Sequence, residues 1–102
     1  MEIWVISIWT ESMNIGYIDD SYFNKNDAIS AMISRAITYV GGWHHMYWRD
    51  IENTMNLDWG EIICTINGCE ICANNHGSHI NMSLGLSNGE CVIYASKIDL
   101  TN

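Results

Sequence analysis

Two Asn-Gly pairs in the second half of the chain constrain its fold most strongly. Asn67-Gly68 and Asn88-Gly89 each lie between two runs that are rich in β-branched or alternating apolar residues. Asn and Gly tolerate the positive φ angles that a tight hairpin turn requires, so such a pair between strand-like runs predicts a β-hairpin. We therefore expect four antiparallel strands here, formed by residues 61–66, 69–73, 80–86 and 90–98.

The first half of the chain predicts a further hairpin. Residues 2–9 and 16–23 are rich in β-branched and aromatic types, and a polar stretch separates them. Asp19 and Asp20 are neighbours in the second run. Because adjacent residues of a strand point to opposite faces, we expect these two carboxylates to diverge.

Residues 24–42 have the pattern of an amphipathic helix. Asn24 or Asn26 can cap its start, and Gly41 with Gly42 ends it. Six apolar residues recur at helical spacing on one arc: Ile29, Met32, Ile33, Ala36, Ile37 and Val40. With no linker along residues 1–102, the sequence predicts a single α+β domain. Its antiparallel sheet has about six strands in the order ββα(α)ββββ, with one or two helices packed on one face.

Six large or functional residues, from Trp43 to Trp48, directly follow this helix. If residues 43–57 form a second helix, one arc faces the core and a separate apolar shoulder remains. The predicted core arc is Tyr47, Trp48, Ile51 and Met55, and the shoulder is Trp43, Met46 and Leu57. Trp and Met are favoured at protein interfaces, so Trp43 and Met46 become candidate partner contacts. Alternatively the shoulder packs under a loop, or the whole segment is irregular.

The charge balance restricts the partner. Twelve acidic residues face four Lys and Arg, for a net charge of −8, and only two lysines occur beside sixteen Ile and eleven Asn. This field repels nucleic acid and attracts basic protein surfaces, such as those of nucleic-acid-handling enzymes. Alternatively, the acidic surface only keeps the protein soluble. The candidate partner-binding acids are Glu11, Asp19, Asp20, Asp50, Glu52 and Asp58.

The beginning of the chain indicates a cytoplasmic protein with no membrane partner. It has no basic leader, and Ser7 and Thr10 interrupt its apolar run, unlike a signal peptide or a membrane span. The four cysteines are then expected as reduced thiols.

Cys69-x-x-Cys72 followed by His76-x-x-His79 forms a candidate zinc site. Zinc takes four sulfur or nitrogen ligands, so these residue types fit. Two features oppose the fit: strand residues three apart point to opposite faces, and the spacing is shorter than in zinc fingers. We expect no cofactor, with a zinc-stabilised adaptor as the alternative.

No catalytic motif is present, so we expect a non-enzyme. The favoured hypothesis is a small acidic inhibitor, analogous to the anti-CRISPR or anti-restriction proteins of phages and mobile elements, which blocks a basic nucleic-acid-binding surface, in one form by DNA mimicry. A second alternative is a ligand-binding protein or small enzyme with His44, His45 or Cys72 in a pocket beside Trp48. A homodimer is also expected, through edge pairing of residues 2–9 or 90–98.

Overall fold

The computed structural model describes residues 1–99 and contains one six-stranded antiparallel sheet and two helices. The elements are β1 (Glu2–Thr10), β2 (Ile15–Tyr22), α1 (Lys25–Val40), α2 (Tyr47–Met55), β3 (Gly60–Ile66), β4 (Cys69–Asn75), β5 (His79–Leu86) and β6 (Gly89–Asp99). The strands lie in the order β2-β1-β6-β5-β4-β3, and the helices pack against the sheet. The predicted α+β class and element order are confirmed. Among the described residues, no helix is long and apolar enough to cross a membrane.

Helix α1 begins and ends as its sequence predicts. The Asn24 side chain accepts a 2.8 Å hydrogen bond from the backbone N–H of Asp27, which caps the first turn. The helix ends at Gly41, whose φ of 81° is readily adopted only by glycine. Five of the six residues on the predicted apolar arc are buried, and the sixth, Ile37, packs against the core.

The two predicted hairpins of the second half are present, but their turns differ. Asn67 and Gly68 have φ angles of 51° and 77° and occupy the centre of the β3–β4 turn, as predicted. In the β5–β6 hairpin Leu86 pairs with Gly89, so the turn is centred on Ser87 and Asn88. The second turn therefore lies one residue earlier than the Asn-Gly rule predicts, and Gly89 takes up a φ of 123° at the start of β6.

Alternate residues of the strands form two faces. The face beneath the helices carries most of the core, including Ile6, Ile8, Ile71, Ala73, Ile80, Met82, Leu84, Ile93 and Ala95. The residues between them point to the other side of the sheet, which no helix covers in the described part of the chain. We call this side the open face; it includes Val5, Ser7, Trp9, Ile18, Glu61, Glu70, Cys72, Asn74, Asn81, Ser83, Glu90, Val92 and Tyr94.

A β-bulge changes the expected orientation of the acid pair in β2. The register shifts between Ile6 and Ser7, which leaves Asp19 without a partner residue in β1. Asp19 and Asp20 consequently lie on the same side, with carboxylate oxygens 2.6 and 4.0 Å from guanidinium nitrogens of Arg35. The expectation that they diverge was wrong, because it assumed an unbroken strand.

The strand order also corrects the expected route to a homodimer. β1 pairs with both β2 and β6, and β6 pairs with both β1 and β5. Residues 4–9 and 90–96, most of the two segments proposed for edge pairing, therefore have no free edge. Within residues 1–99 the edge strands are β2 and β3. Self-association itself stays a prediction.

Asn75 connects helix α2 to the sheet. Its side chain is buried, and its amide nitrogen donates hydrogen bonds to the backbone carbonyls of Met55, at 2.8 Å, and of Leu57. Its carbonyl oxygen accepts from the N–H of Gly77 at 2.9 Å. One amide thus satisfies groups at the end of α2 and in the β4–β5 turn, which holds the helix in position.

Candidate functional site

The first four residues of the segment from Trp43 to Trp48 precede helix α2, and the last two form its start. A turn spans residues 42–45, closed by a 2.8 Å hydrogen bond from the N–H of His45 to the carbonyl of Gly42. The helix then begins at Tyr47, whose N–H donates to Nδ1 of His45 at 3.2 Å. Seven residues line a depression of about 670 Å³, which we call the aromatic surface: Trp43, His44, His45, Met46, Trp48, Arg49 and Asp50.

Trp43 and Met46 stand out at this surface because they are 76% and 73% exposed. The Trp43 ring makes an edge-on contact with His44, with the ring centroids 5.5 Å apart. The alternative that these side chains pack under a neighbouring loop is therefore wrong.

The predicted core arc of α2 is correct in three of its four members. Trp48, Ile51 and Met55 are buried, whereas Tyr47 is 39% exposed and its ring lies against His45, with centroids 5.0 Å apart. Tyr47 falls at the margin of the arc because the helix starts with this residue. It therefore belongs to the solvent boundary, and the prediction that it faces inward was wrong.

Trp48 forms the inner wall of the depression. Its side chain is 4% exposed, and its indole nitrogen is the one buried side-chain N or O atom without a hydrogen-bond partner within residues 1–99. A buried donor in this state costs on the order of 1–3 kcal/mol. The buried indole N–H of Trp48 thus makes this wall contribute less to the free energy of unfolding than a fully hydrogen-bonded core residue would.

The predicted partner-binding acids form two separate groups. Asp50 lines the aromatic surface, Glu52 follows it on α2, and Asp58 is exposed in the loop after that helix. The other group, Glu11, Asp19 and Asp20, lies at the β1–β2 end of the sheet. Since α2 packs on β3 and β4, most of the sheet width separates them, about 20 Å at roughly 4.8 Å per strand.

The acids of the first hairpin are also occupied within the molecule. Asp19 and Asp20 pair with Arg35, and a Glu11 oxygen accepts a 2.8 Å hydrogen bond from the backbone N–H of Glu90. Of the eight predicted contact residues, the depression brings together Trp43, Met46 and Asp50.

The few cations of the chain are largely engaged in internal contacts. Arg35 pairs with the two aspartates of β2, and the Lys97 ammonium lies 3.5 Å from a Glu2 carboxylate oxygen. The Lys25 ammonium donates to the carbonyl of Leu57 at 2.8 Å. The fourth cation, Arg49, lines the aromatic surface beside Asp50. The net charge of −8 still makes the surface as a whole acidic to an approaching molecule.

The four candidate zinc ligands do not converge. Cys69 packs against the core on the helix side of β4, whereas Cys72 lies on the open face. His76 makes an edge-on contact with Trp59, with centroids 4.5 Å apart, and His79 lies 3.4 Å from the Ser96 hydroxyl. Within residues 1–99, no three His, Cys, Asp or Glu side chains lie close enough to hold a metal ion.

The thiols are poorly placed for nucleophilic chemistry. Burial raises the pKa of Cys64, Cys72 and Cys91, and nearby carboxylates raise that of Cys72 further. A raised pKa leaves little thiolate at neutral pH. The expected pocket that joins Cys72 to Trp48 was wrong, because the sheet separates the two, although His44 and His45 do line the depression with Trp48.

Sequence reasoning missed a second surface, on the open face. Seven residues line a depression of about 280 Å³ there, which we call the Ser7 cup: Ser7, Ile8, Trp9, Gly16, Tyr17, Ile18 and Tyr94. Beyond it, towards β4 and β3, the open face carries Asn81, Asn74, Glu70 and Glu61. Alternation within each run separates the open-face residues, such as Ser7, Trp9 and Tyr94, from the core, whereas Ile8 and Tyr17 line the cup from helix-side positions. The sequence contains no signal for which strands become neighbours.

No known family model matches this chain, and the searches of curated proteins and of solved structures gave no match either.

Proposed function

We propose that this chain is a protein-binding inhibitor that places its aromatic surface against a basic protein surface. The observation that carries the proposal is the exposure of Trp43 and Met46 around a depression that Asp50 also lines. In the form we favour, the partner is a nucleic-acid-binding enzyme of host defence, and the inhibitor is of the kind that phages and mobile elements carry.

The two residue types have different roles in this proposal. Carboxylates at Asp50, Glu52 and Asp58 attract Lys and Arg over a distance of roughly a Debye length, about 8–10 Å at physiological salt, and so accelerate encounter. Trp43 and Met46 lose water only when the partner has docked, so they slow dissociation. A net charge of −8 with most cations engaged internally supports a basic partner over an acidic one.

The first step of the test is to identify the proteins that the tagged chain retains from bacterial lysate at low salt and releases at high salt. Association and dissociation rates are then measured for the retained protein with Trp43→Ala and Asp50→Lys. We expect Asp50→Lys to slow association about tenfold and to weaken its salt dependence, and Trp43→Ala to speed dissociation.

Asp27→Lys is the matched control, because Asp27 also lies in the first turn of a helix but on α1, away from the aromatic surface. It makes the same change in net charge. If Asp50→Lys and Asp27→Lys slow association equally, the effect comes from net charge and not from the position of Asp50. If Trp43→Ala leaves the dissociation rate unaltered, the aromatic surface is not part of the contact.

A further inference from the structure

We propose that the open face is a second docking surface, for a protein partner that presents one protruding apolar side chain flanked by Lys or Arg. This inference does not depend on the aromatic surface, which lies on the helix side of the sheet. It rests on the shape of the Ser7 cup, on the charges beside it and on the poor fit of this face to a second copy of itself.

The Ser7 cup arises from small residues among large ones. Ser7 lies between Ile18 on β2 and Tyr94 on β6, while Trp9 lies opposite Gly16. The Trp9 side chain lies against Gly16, since a Cβ on that glycine would be 3.6 Å from Trp9 Cδ1, so Ser7 is the small residue of the floor between large neighbours. Ile18 is 75% exposed, so the wall projects from the sheet. The cup has a volume of about 280 Å³, which is enough to accept one inserted side chain.

The acidic residues of the open face determine which side chains the partner needs beside its apolar one. Glu90 lies on β6, Glu70 on β4 and Glu61 on β3, all on the same side as the cup. Ser83 donates a 2.9 Å hydrogen bond to the Glu90 carboxylate, which holds it over the sheet. The sequence has four Lys and Arg in all, and each lies on a helix or on the helix side of β6. A partner of opposite charge is therefore favoured.

Strand spacing sets the geometry of that partner. At about 4.8 Å per strand, Glu90 lies one strand from the floor of the cup and Glu70 lies three strands from it. Both carboxylates also lie four residues along the strands from the level of Ser7, since Ser7 pairs with Tyr94, which adds about 13 Å at roughly 3.3 Å per residue. The partner therefore needs cationic groups roughly 14–20 Å from its apolar side chain. The charge is one-sided, because β2 and β1 contribute apolar walls on the other side.

A second copy of the chain fits this face poorly. If a twofold axis runs along the strands, the acidic half of one copy covers the apolar half of the other and loses water without compensation. If the axis runs across the strands, acids meet acids.

The probe for this surface is a synthetic peptide with one leucine flanked on one side by lysines. Two matched peptides replace the leucine by glycine or the lysines by glutamates. Amide shifts of the ¹⁵N-labelled protein are followed by NMR during titration with each peptide. We expect the first peptide alone to shift the signals of Ser7, Trp9 and Tyr94, with weaker shifts at higher salt.

Two variants test the residues that carry the proposal. Ser7→Leu fills the cup and should weaken binding at least tenfold, whereas Ser30→Leu, the same substitution at an exposed position of helix α1 away from the open face, should not. Glu70→Lys should weaken binding several-fold. If Ser7→Leu does not fold, Ile18→Ala lowers an exposed wall of the cup instead and should weaken binding by a smaller factor.

Three results would overturn the proposal: no shift on the open face at millimolar peptide, equal shifts with the glycine peptide, or a dimer of twice 11.6 kDa in sedimentation that Ser7→Leu dissociates. The last result would assign the face to a second copy. Trp43→Ala should leave peptide binding unchanged, so the outcome here is separate from that of the inhibitor proposal.

Discussion

The two faces of the sheet are built from the same strands yet differ in almost every property. On one face, uncharged side chains such as Met82 and Ile93 are fully buried under α1 and α2. On the other, Asn, Ser and Glu lie beside Trp9, Val92 and Tyr94 with no helix above them in the described chain. A sheet needs one covered face for stability, so the residues of the uncovered face are free to serve another purpose.

A substitution on each face of β5 gives the largest expected contrast. Met82→Ala removes a fully buried side chain and should lower the free energy of unfolding by about 2–5 kcal/mol. Ser83→Ala on the open face loses one hydrogen bond to Glu90 and should cost about 1 kcal/mol or less. Urea denaturation measures both. Similar losses would mean that the two faces are not divided into core and surface.

Adjacent asparagines sharpen the same contrast with identical side chains. Asn75→Ala leaves backbone carbonyls at the end of α2 without their donor and should cost about 1–3 kcal/mol. Asn74 lies on the open face, and its 3.3 Å hydrogen bond to Asn81 is half-buried. Asn74→Ala should therefore cost less than about 1 kcal/mol. The comparison of faces fails if Asn74→Ala destabilises the protein more than Asn75→Ala.

The smallest expected effect concerns pH at the margin of the covered face. Partial burial and a hydrogen bond with Tyr17 raise the pKa of Tyr39 to about 12, above the usual 10. Because the folded state disfavours tyrosinate, this contribution is complete below pH 10 and is lost as the pH rises towards 12. Urea denaturation at pH 9 and pH 11.5 should show a smaller loss in Tyr39→Phe than in the parent chain. In a pH titration, the absorbance of tyrosinate should show one tyrosine that ionises at higher pH than the others. If this step remains in Tyr39→Phe, the raised pKa belongs to a different tyrosine.

The regular elements could be predicted because local patterns determine them. Asn24 and Gly41 mark the ends of α1, and Asn67-Gly68 marks a hairpin, through backbone preferences that act within a few residues. Period-2 alternation likewise separates residues such as Met82 and Ser83. These signals require no knowledge of distant contacts.

The order of the strands and the β-bulge could not be predicted, because they depend on contacts between residues far apart in the sequence. The position of β1 between β2 and β6 follows from pairing across most of the chain length, and no local pattern encodes it. The bulge that turns Asp19 and Asp20 to one side is a departure from the very periodicity used for prediction.

The candidate site was predictable in part for the same reason. Exposure of Trp43 and Met46 followed from a local excess of apolar residues over what one helix can bury. The separation of Asp19 and Asp20 from Asp50 did not, because it depends on the order of strands. The Ser7 cup was missed since its walls come from three strands.

The bulge in β2 also governs how this protein should behave when it is crowded. A bent, acid-bearing margin is a poor template for adding another strand, so fibril growth is blocked on that side. The opposite margin, β3, is regular and carries Glu61 as its one charged residue. Any amyloid-like assembly would therefore start there, with Glu61 acting as its gatekeeper.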